Sequence, residues 1–212
     1  MLVRPGLVVA TLAACIAAPV AAQRGGQPQG ARDVTVTAIP GVVAANSRWM
    51  LAWQGTDNAD GIVGTDDGGL LFAQEQPNRI SKLDANDKVS VVIEDTHGTG
   101  AIAIDAKGLL WTADRENQRI QVFQQDGTFV REIKYKGLPC SLDIGKQYIY
   151  MVNGFAGQLV RLDLNGKVLA ALGKPGKGPG EFGEAHMIAV NDKGEIYVAD
   201  SVNAALLKFV KK

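Results

Sequence analysis

The feature that most constrains this chain is a repeat of about 40 residues. One template recurs four times: an apolar strand, a turn built on Asp, Lys and Gly, a second apolar strand, a polar loop, then two more strand-like segments. In the first copy Asp60-Gly61-Ile62-Val63 leads through Asp66-Asp67-Gly68-Gly69 to residues 70–73, Asn78-Arg79-Ile80 and residues 89–93. The second copy holds residues 100–104, the turn Asp105-Ala106-Lys107-Gly108, residues 109–113, Gln118-Arg119-Ile120 and residues 129–133. The third holds residues 140–144, 148–152, 158–160 and 168–172. The fourth holds residues 186–190, the turn Asn191-Asp192-Lys193-Gly194, residues 195–199 and residues 204–209. Arg79 and Arg119 lie 40 residues apart, and Asn153 to Asp200 is longer at 47 because residues 173–183 are inserted as a linker.

A period near 40 with four strands per unit fits a β-propeller blade, whereas solenoid repeats of similar length are helical. No stretch shows a helical apolar period. The β-branched and apolar runs alternate with the turn residues that strands require. The 25 glycines mark most of those turns. The expected fold is therefore all-β, a β-propeller with about four recognisable four-stranded blades, either a closed four-bladed ring or a shortened, open relative of larger propellers. An open form would leave sheet edges and favour self-association. The fourth copy has three strands. Residues 48–54 (RWMLAWQ) precede the first blade and are the expected donor of its missing strand. Residues 34–37 (VTVT) form a further strand candidate.

The N-terminus reads as an export signal. Arg4 supplies a positive start, residues 7–20 are apolar but short for a membrane span, and Val20-Ala21-Ala22 offers small residues for cleavage before Gln23. This divides the chain into a signal peptide at 1–22, a flexible Gly- and Gln-rich leader at 23–32 and a propeller domain at 33–212, and places the protein in the periplasm or outside the cell. The alternative is a lipid anchor, since Leu12-Ala13-Ala14-Cys15 has the form of a lipobox. With 22 basic and 22 acidic side chains the net charge is zero, which removes the field that nucleic-acid binding needs. The expected partners are a small molecule, or a protein or peptide, at the mouth of the channel, with no nucleic acid and no transmembrane segment.

Ligands of propellers sit where the inner strands meet the central channel. Aligning the first residue of each inner strand gives Asp60, Gly100, Cys140 and His186, of which three are types that ligate transition metals. The bland alternatives are a turn-shaping Asp60, a small buried Cys140 and a hydrogen-bonding His186. Asp114, after Trp111, and His97 are the nearest acid/base candidates. Asp114, Asn153 and Asp200 occupy equivalent places in three blades, which favours a role in satisfying backbone N–H groups. Residues 174–180 (KPGKGPG) lack the spacing of a phosphate-binding loop and read as an interblade linker.

Two resemblances add to this. Residues 60–114 resemble the senescence marker protein/gluconolactonase family through Asp60-Gly61, Gly69-Leu70-Leu71-Phe72, Pro77-Asn78-Arg79-Ile80 and Ala103-Ile104-Asp105-Ala106-Lys107-Gly108. Residues 116–212 resemble NHL repeats through Asn117-Gln118-Arg119-Ile120-Gln121-Val122-Phe123, Gly178-Pro179-Gly180-Glu181-Phe182-Gly183 and Ile196-Tyr197-Val198-Ala199-Asp200-Ser201. NHL propellers commonly serve as binding modules. Lactonases of the first family hold a divalent metal on a Glu, an Asn and an Asp, where this chain has Asp60, Cys140 and His186. The resemblance thus implies a ligand- or protein-binding module, or else a metal-dependent lactone or ester hydrolase using Ca, Zn or Mn, with Asp114 matching the position of a substrate-contacting acid.

Overall fold

In the computed structural model, residues 37–45, 47, 51–55 and 57–210 are described. The signal peptide, the leader, Cys15 and the strand candidate at 34–36 lie outside them. The chain divides into two compact units, Met1–Leu51 and Ala52–Lys212. In the first, the described part is a tight turn closed by a bridge between Ile39 and Val43.

The second unit is built almost wholly of strands. Blade 1 is a sheet of β1 (Ile62–Gly64), β2 (Leu70–Gln74), β3 (Arg79–Leu83) and β4 (Val89–Ile93). Blade 2 holds β5 (Ala101–Ile104), β6 (Leu110–Asp114), β7 (Arg119–Phe123) and β8 (Phe129–Lys134). Blade 3 holds β9 (Pro139–Ile144), β10 (Tyr148–Asn153), β11 (Gln158–Asp163) and β12 (Val168–Leu172), with a 3₁₀ turn at Gly154–Ala156. The linker forms a small parallel pair, β13 (Lys174–Pro175) and β14 (Glu181–Phe182). Blade 4 holds β15 (Ala185–Val190), β16 (Ile196–Asp200) and β17 (Ala205–Phe209). Within every blade each strand pairs antiparallel with its neighbour in sequence.

The turns explain why the repeats fold as hairpins. Asp84 Oδ1 accepts the backbone N–H groups of Asn86 and Lys88, and Asp105 Oδ1 those of Lys107 and Leu109. Asp163 does the same for Asn165 and Lys167, and the Asn191 side chain for Lys193 and Glu195. One short polar side chain thereby satisfies two donors that the reversing backbone leaves free.

The blades pack through three hydrophobic cores. Leu71, Ala73, Ile80 and Ile93 of blade 1 meet Ile102, Leu110 and Phe123 of blade 2. Trp111, Ile120 and Val122 of blade 2 meet Leu142, Ile149, Met151, Val160 and Leu162 of blade 3 in the largest core. Val152 and Leu159 of blade 3 meet Ala185 and Val198 of blade 4, with Phe182 of the linker wedged between. Inner strands β1 and β5, β5 and β9, and β9 and β15 lie against one another. β6, packed on both faces, is buried throughout, its Thr112 and Asp114 included.

The strand expected at residues 48–54 is corrected for its described part. Residues 51–54 form no strand, and blade 4 has three. Residues 48–50 lie outside the described residues. Instead Trp53 places its ring 4.8 Å from that of Phe72, on the face of blade 1 turned away from blade 2. Stacking on Phe72 takes the Trp53 ring out of water. Among the described residues, no helix is long and apolar enough to cross a membrane.

Candidate functional site

The inner ends of the four blades converge on one small cleft of about 50 Å³, lined among others by Asp60, Glu75, Gly100, Arg115, Cys140 and His186. The column aligned in the sequence therefore meets at one place. Gly100 leaves room for Asp60, because a Cβ there would sit 2.9 Å from Asp60 Oδ2.

Two of the lining side chains are aimed by β-bulges. In blade 3, Ser141 pairs with Val152 but Pro139 pairs with Asn153, so Cys140 is the extra residue. In blade 4, Met187 pairs with Ala199 but Ala185 with Asp200, so His186 is the extra residue. A bulge reverses the alternation of a strand. Leu142 accordingly packs toward blade 2, while Cys140, two residues earlier, joins the core shared with blade 4.

There Cys140 meets Glu184 and His186. One donor atom from each of the three lies within 4.8 Å of the other two. His186 Nδ1 is 3.8 Å from Glu184 Oε1, beyond hydrogen-bonding reach, and is buried without a hydrogen-bond partner. Glu184 is held from two sides. Its Oε2 accepts the Ser201 hydroxyl, and its backbone N–H donates to Asp200 Oδ1 at 3.1 Å. Burial pushes the Cys140 thiol above its ordinary pKa; the Arg115 guanidinium beside it pulls it back down and Glu184 pushes it up further. Arg115 is itself flanked by Glu116 Oε1 at 2.9 Å and Glu75 Oε1 at 3.6 Å.

Glu184 was absent from the aligned column because it belongs to the end of the linker. No local signal marks it, because the bulge at His186 breaks the strand alternation that would pair positions 184 and 186 on one face. Asp60 lines the same cleft outside the converging trio.

The acid/base candidates stand elsewhere. Asp114 is fully buried; it accepts Arg119 Nε at 2.6 Å and both the backbone and side-chain N–H groups of Asn117. It belongs to a second column, Gln74, Asp114, Asn153 and Asp200, at the last residue of the second strand in each blade. Asn153 accepts the Leu138 N–H, and Asp200 accepts those of Gly183, Glu184 and Asn203. Asp114, Asn153 and Asp200 fasten loops to blades, while Gln74 accepts Arg79 and Ser81 of the neighbouring strand. His97 is exposed, and its carbonyl accepts the Asn117 side chain. Neither Asp114 nor His97 is among the residues lining the cleft.

Comparison with known proteins agrees with this fold. A profile of the NHL repeat matches residues 100–123, and one described as a 6-bladed β-propeller matches residues 141–210. The protein has a β-propeller fold. Among solved structures, this propeller is similar to a proposed gluconolactonase, at 13% identity and TM-score 0.63 over 76% of this chain and 62% of the other. It is similar to a streptogramin B lyase at 17% identity and TM-score 0.58, over 72% of this chain and 54% of that one. It is also similar to the virginiamycin B lyase of Staphylococcus aureus at 15% identity and TM-score 0.54, over 72% and 55% respectively. The propeller thus spans little more than half the length of these structures. No curated protein matches the sequence.

Proposed function

We propose that the protein is an exported propeller that binds a small polar molecule, neutral or cationic, by inserting one of its groups into the axial cleft. The observation that carries this is the charge around the cleft. Asp60 and Glu75 line it, and Glu184 stands beside the lining residues Cys140 and His186, against the single guanidinium of Arg115. A net-negative, low-dielectric recess disfavours an anion and favours hydroxyl, amine or cation donors. At about 50 Å³ the cleft admits a head group rather than a whole ligand of ordinary size.

The test is calorimetry against sugar lactones, polyols and primary amines, each beside its carboxylate counterpart. The neutral or cationic member should bind more tightly, and Asp60→Asn and Glu75→Gln should weaken it. Tighter binding of the carboxylates, or indifference to both substitutions, would sink the reading. Export is tested by the mass of the mature chain, expected to begin at Gln23; a lipid on Cys15 would replace release by anchoring.

A second reading is favoured by the Cys140, Glu184 and His186 trio: a metal-dependent lactone or ester hydrolase. A divalent metal bound there would polarise a carbonyl and activate water. In this reading Asp60 and Glu75, which line the cleft, are the carboxylates that would move a proton there. Lactone turnover that a chelator abolishes and Zn²⁺ restores is the expected result; turnover indifferent to chelation removes this reading.

A further inference from the structure

The structure assigns Cys140, Glu184 and His186 as a binding site for one thiophilic divalent cation of the zinc class. This deepens the reading of the axial cleft and rests on it for where a ligand would sit.

The first argument is distance. Ligands of a tetrahedral ion with bonds of about 2.0–2.3 Å stand roughly 3.4–3.7 Å from one another. His186 Nδ1 and Glu184 Oε1 are 3.8 Å apart, too far to bond each other and close to the separation of two atoms on one ion. All three donors lie within 4.8 Å of one another, so closing their separations by about 1 Å completes the set. The second is the unpartnered nitrogen. A buried imidazole nitrogen without a hydrogen bond is costly, and a cation would satisfy it.

Charge provides the third argument. A thiolate and a carboxylate neutralise a dication, so the occupied site carries no net charge into its buried surroundings. On binding, the Cys140 S–H bond breaks, the sulfur forms its bond to the metal, and the proton leaves to water. The fourth is support around the ligands. The Ser201 hydroxyl donates to the far oxygen of Glu184, and the Asp200 carboxylate fixes its backbone, the kind of outer contacts that orient metal ligands. Sulfur with imidazole selects Zn²⁺ or Co²⁺ over Ca²⁺ or Mg²⁺, which prefer oxygen. With three protein ligands, one position of a tetrahedral ion is left for water or a ligand group from the cleft that Cys140 and His186 line.

The experiment uses the full chain carrying Cys15→Ser, which leaves Cys140 as its only thiol. The protein is freed of metal by chelator dialysis and titrated with Co²⁺, then competed with Zn²⁺ and Ca²⁺. One equivalent of Co²⁺ should bind with a near-ultraviolet thiolate charge-transfer band, displaced by Zn²⁺ but not by Ca²⁺. Cys140→Ser should abolish the band, and His186→Gln and Glu184→Gln should weaken binding at least about tenfold. Circular dichroism and melting of the metal-free variants control for folding. The assignment is overturned by no binding, by binding without the thiolate band, by preference for Ca²⁺, or by tight binding in a folded His186→Gln protein. The titration contains no organic ligand. A protein that fails it yet still binds lactones or amines loses this site and keeps the cleft reading.

Discussion

Two carboxylates, the buried Asp200 and the half-buried Asp143, act in opposite senses. Burial alone would raise the pKa of Asp200, but the backbone N–H groups of Asn203, Glu184 and Gly183 together bring it below its ordinary value. A carboxylate depressed on folding contributes stability that is present above its unfolded pKa and is lost as pH falls through the lower folded one. Asp200→Asn should cost about 1–3 kcal/mol at neutral pH by removing an acceptor of several bonds. The deficit in melting temperature should narrow below about pH 4 as the wild-type group protonates. Asp143 behaves differently. Burial raises its pKa, and one bond from the Val190 N–H at 2.9 Å only partly offsets that. Its charge therefore costs stability as pH rises through and above the ordinary carboxylate range. Asp143→Asn keeps an acceptor for Val190 and removes the charge. It should melt higher than wild type at pH 7 and equal to it near pH 4, as thermal unfolding at the two pH values would show.

At the scale of single elements, the inner-strand bulges are the least legible part of the chain. Strand positions could be read because apolar alternation and Asp-x-x-Gly turns are local signals: β2 to β12 each start within a residue of the expected segment, though β3, β7 and β11 run three residues further. Whether Cys140 faces blade 2 or blade 4 depends on one extra residue opposite Asn153, which composition does not record. Glu184 and Trp53 escaped for the same reason: each is placed by something distant in sequence, Asp200 and Phe72 respectively. The bulge at Cys140 also has a steric requirement. A Cβ on Gly154 would lie 2.7 Å from the Cys140 sulfur. Gly154→Ala should therefore push the thiol out of place, costing about 1–3 kcal/mol in chemical denaturation. It should also slow or abolish thiol labelling differently from a distant control such as Gly64→Ala, where nothing lies within 4 Å.

Across the whole propeller, burial is uneven. The core between blades 2 and 3 is the largest, and it includes Trp111, which also donates Nε1–H to Asp105 at 3.0 Å and lies under Arg131. Among the described residues no comparable cluster joins blade 4 to blade 1. Stability should fall away from the middle. Amide hydrogen exchange is expected to be slowest in β6, β7, β10 and β11 and fastest in β1, β12 and β17. Equal protection of all four blades would show instead that they open as one unit.

The side-chain-closed turns at Asp84, Asp105, Asp163 and Asn191 carry a kinetic consequence. Each hairpin is closed by groups within four residues of one another, and no blade waits for a strand from far along the chain to begin pairing. Chains whose contacts are close in sequence meet a small entropic barrier. Folding should accordingly start at several hairpins at once, in any order, and its slow event should be the docking of finished blades rather than the making of any sheet.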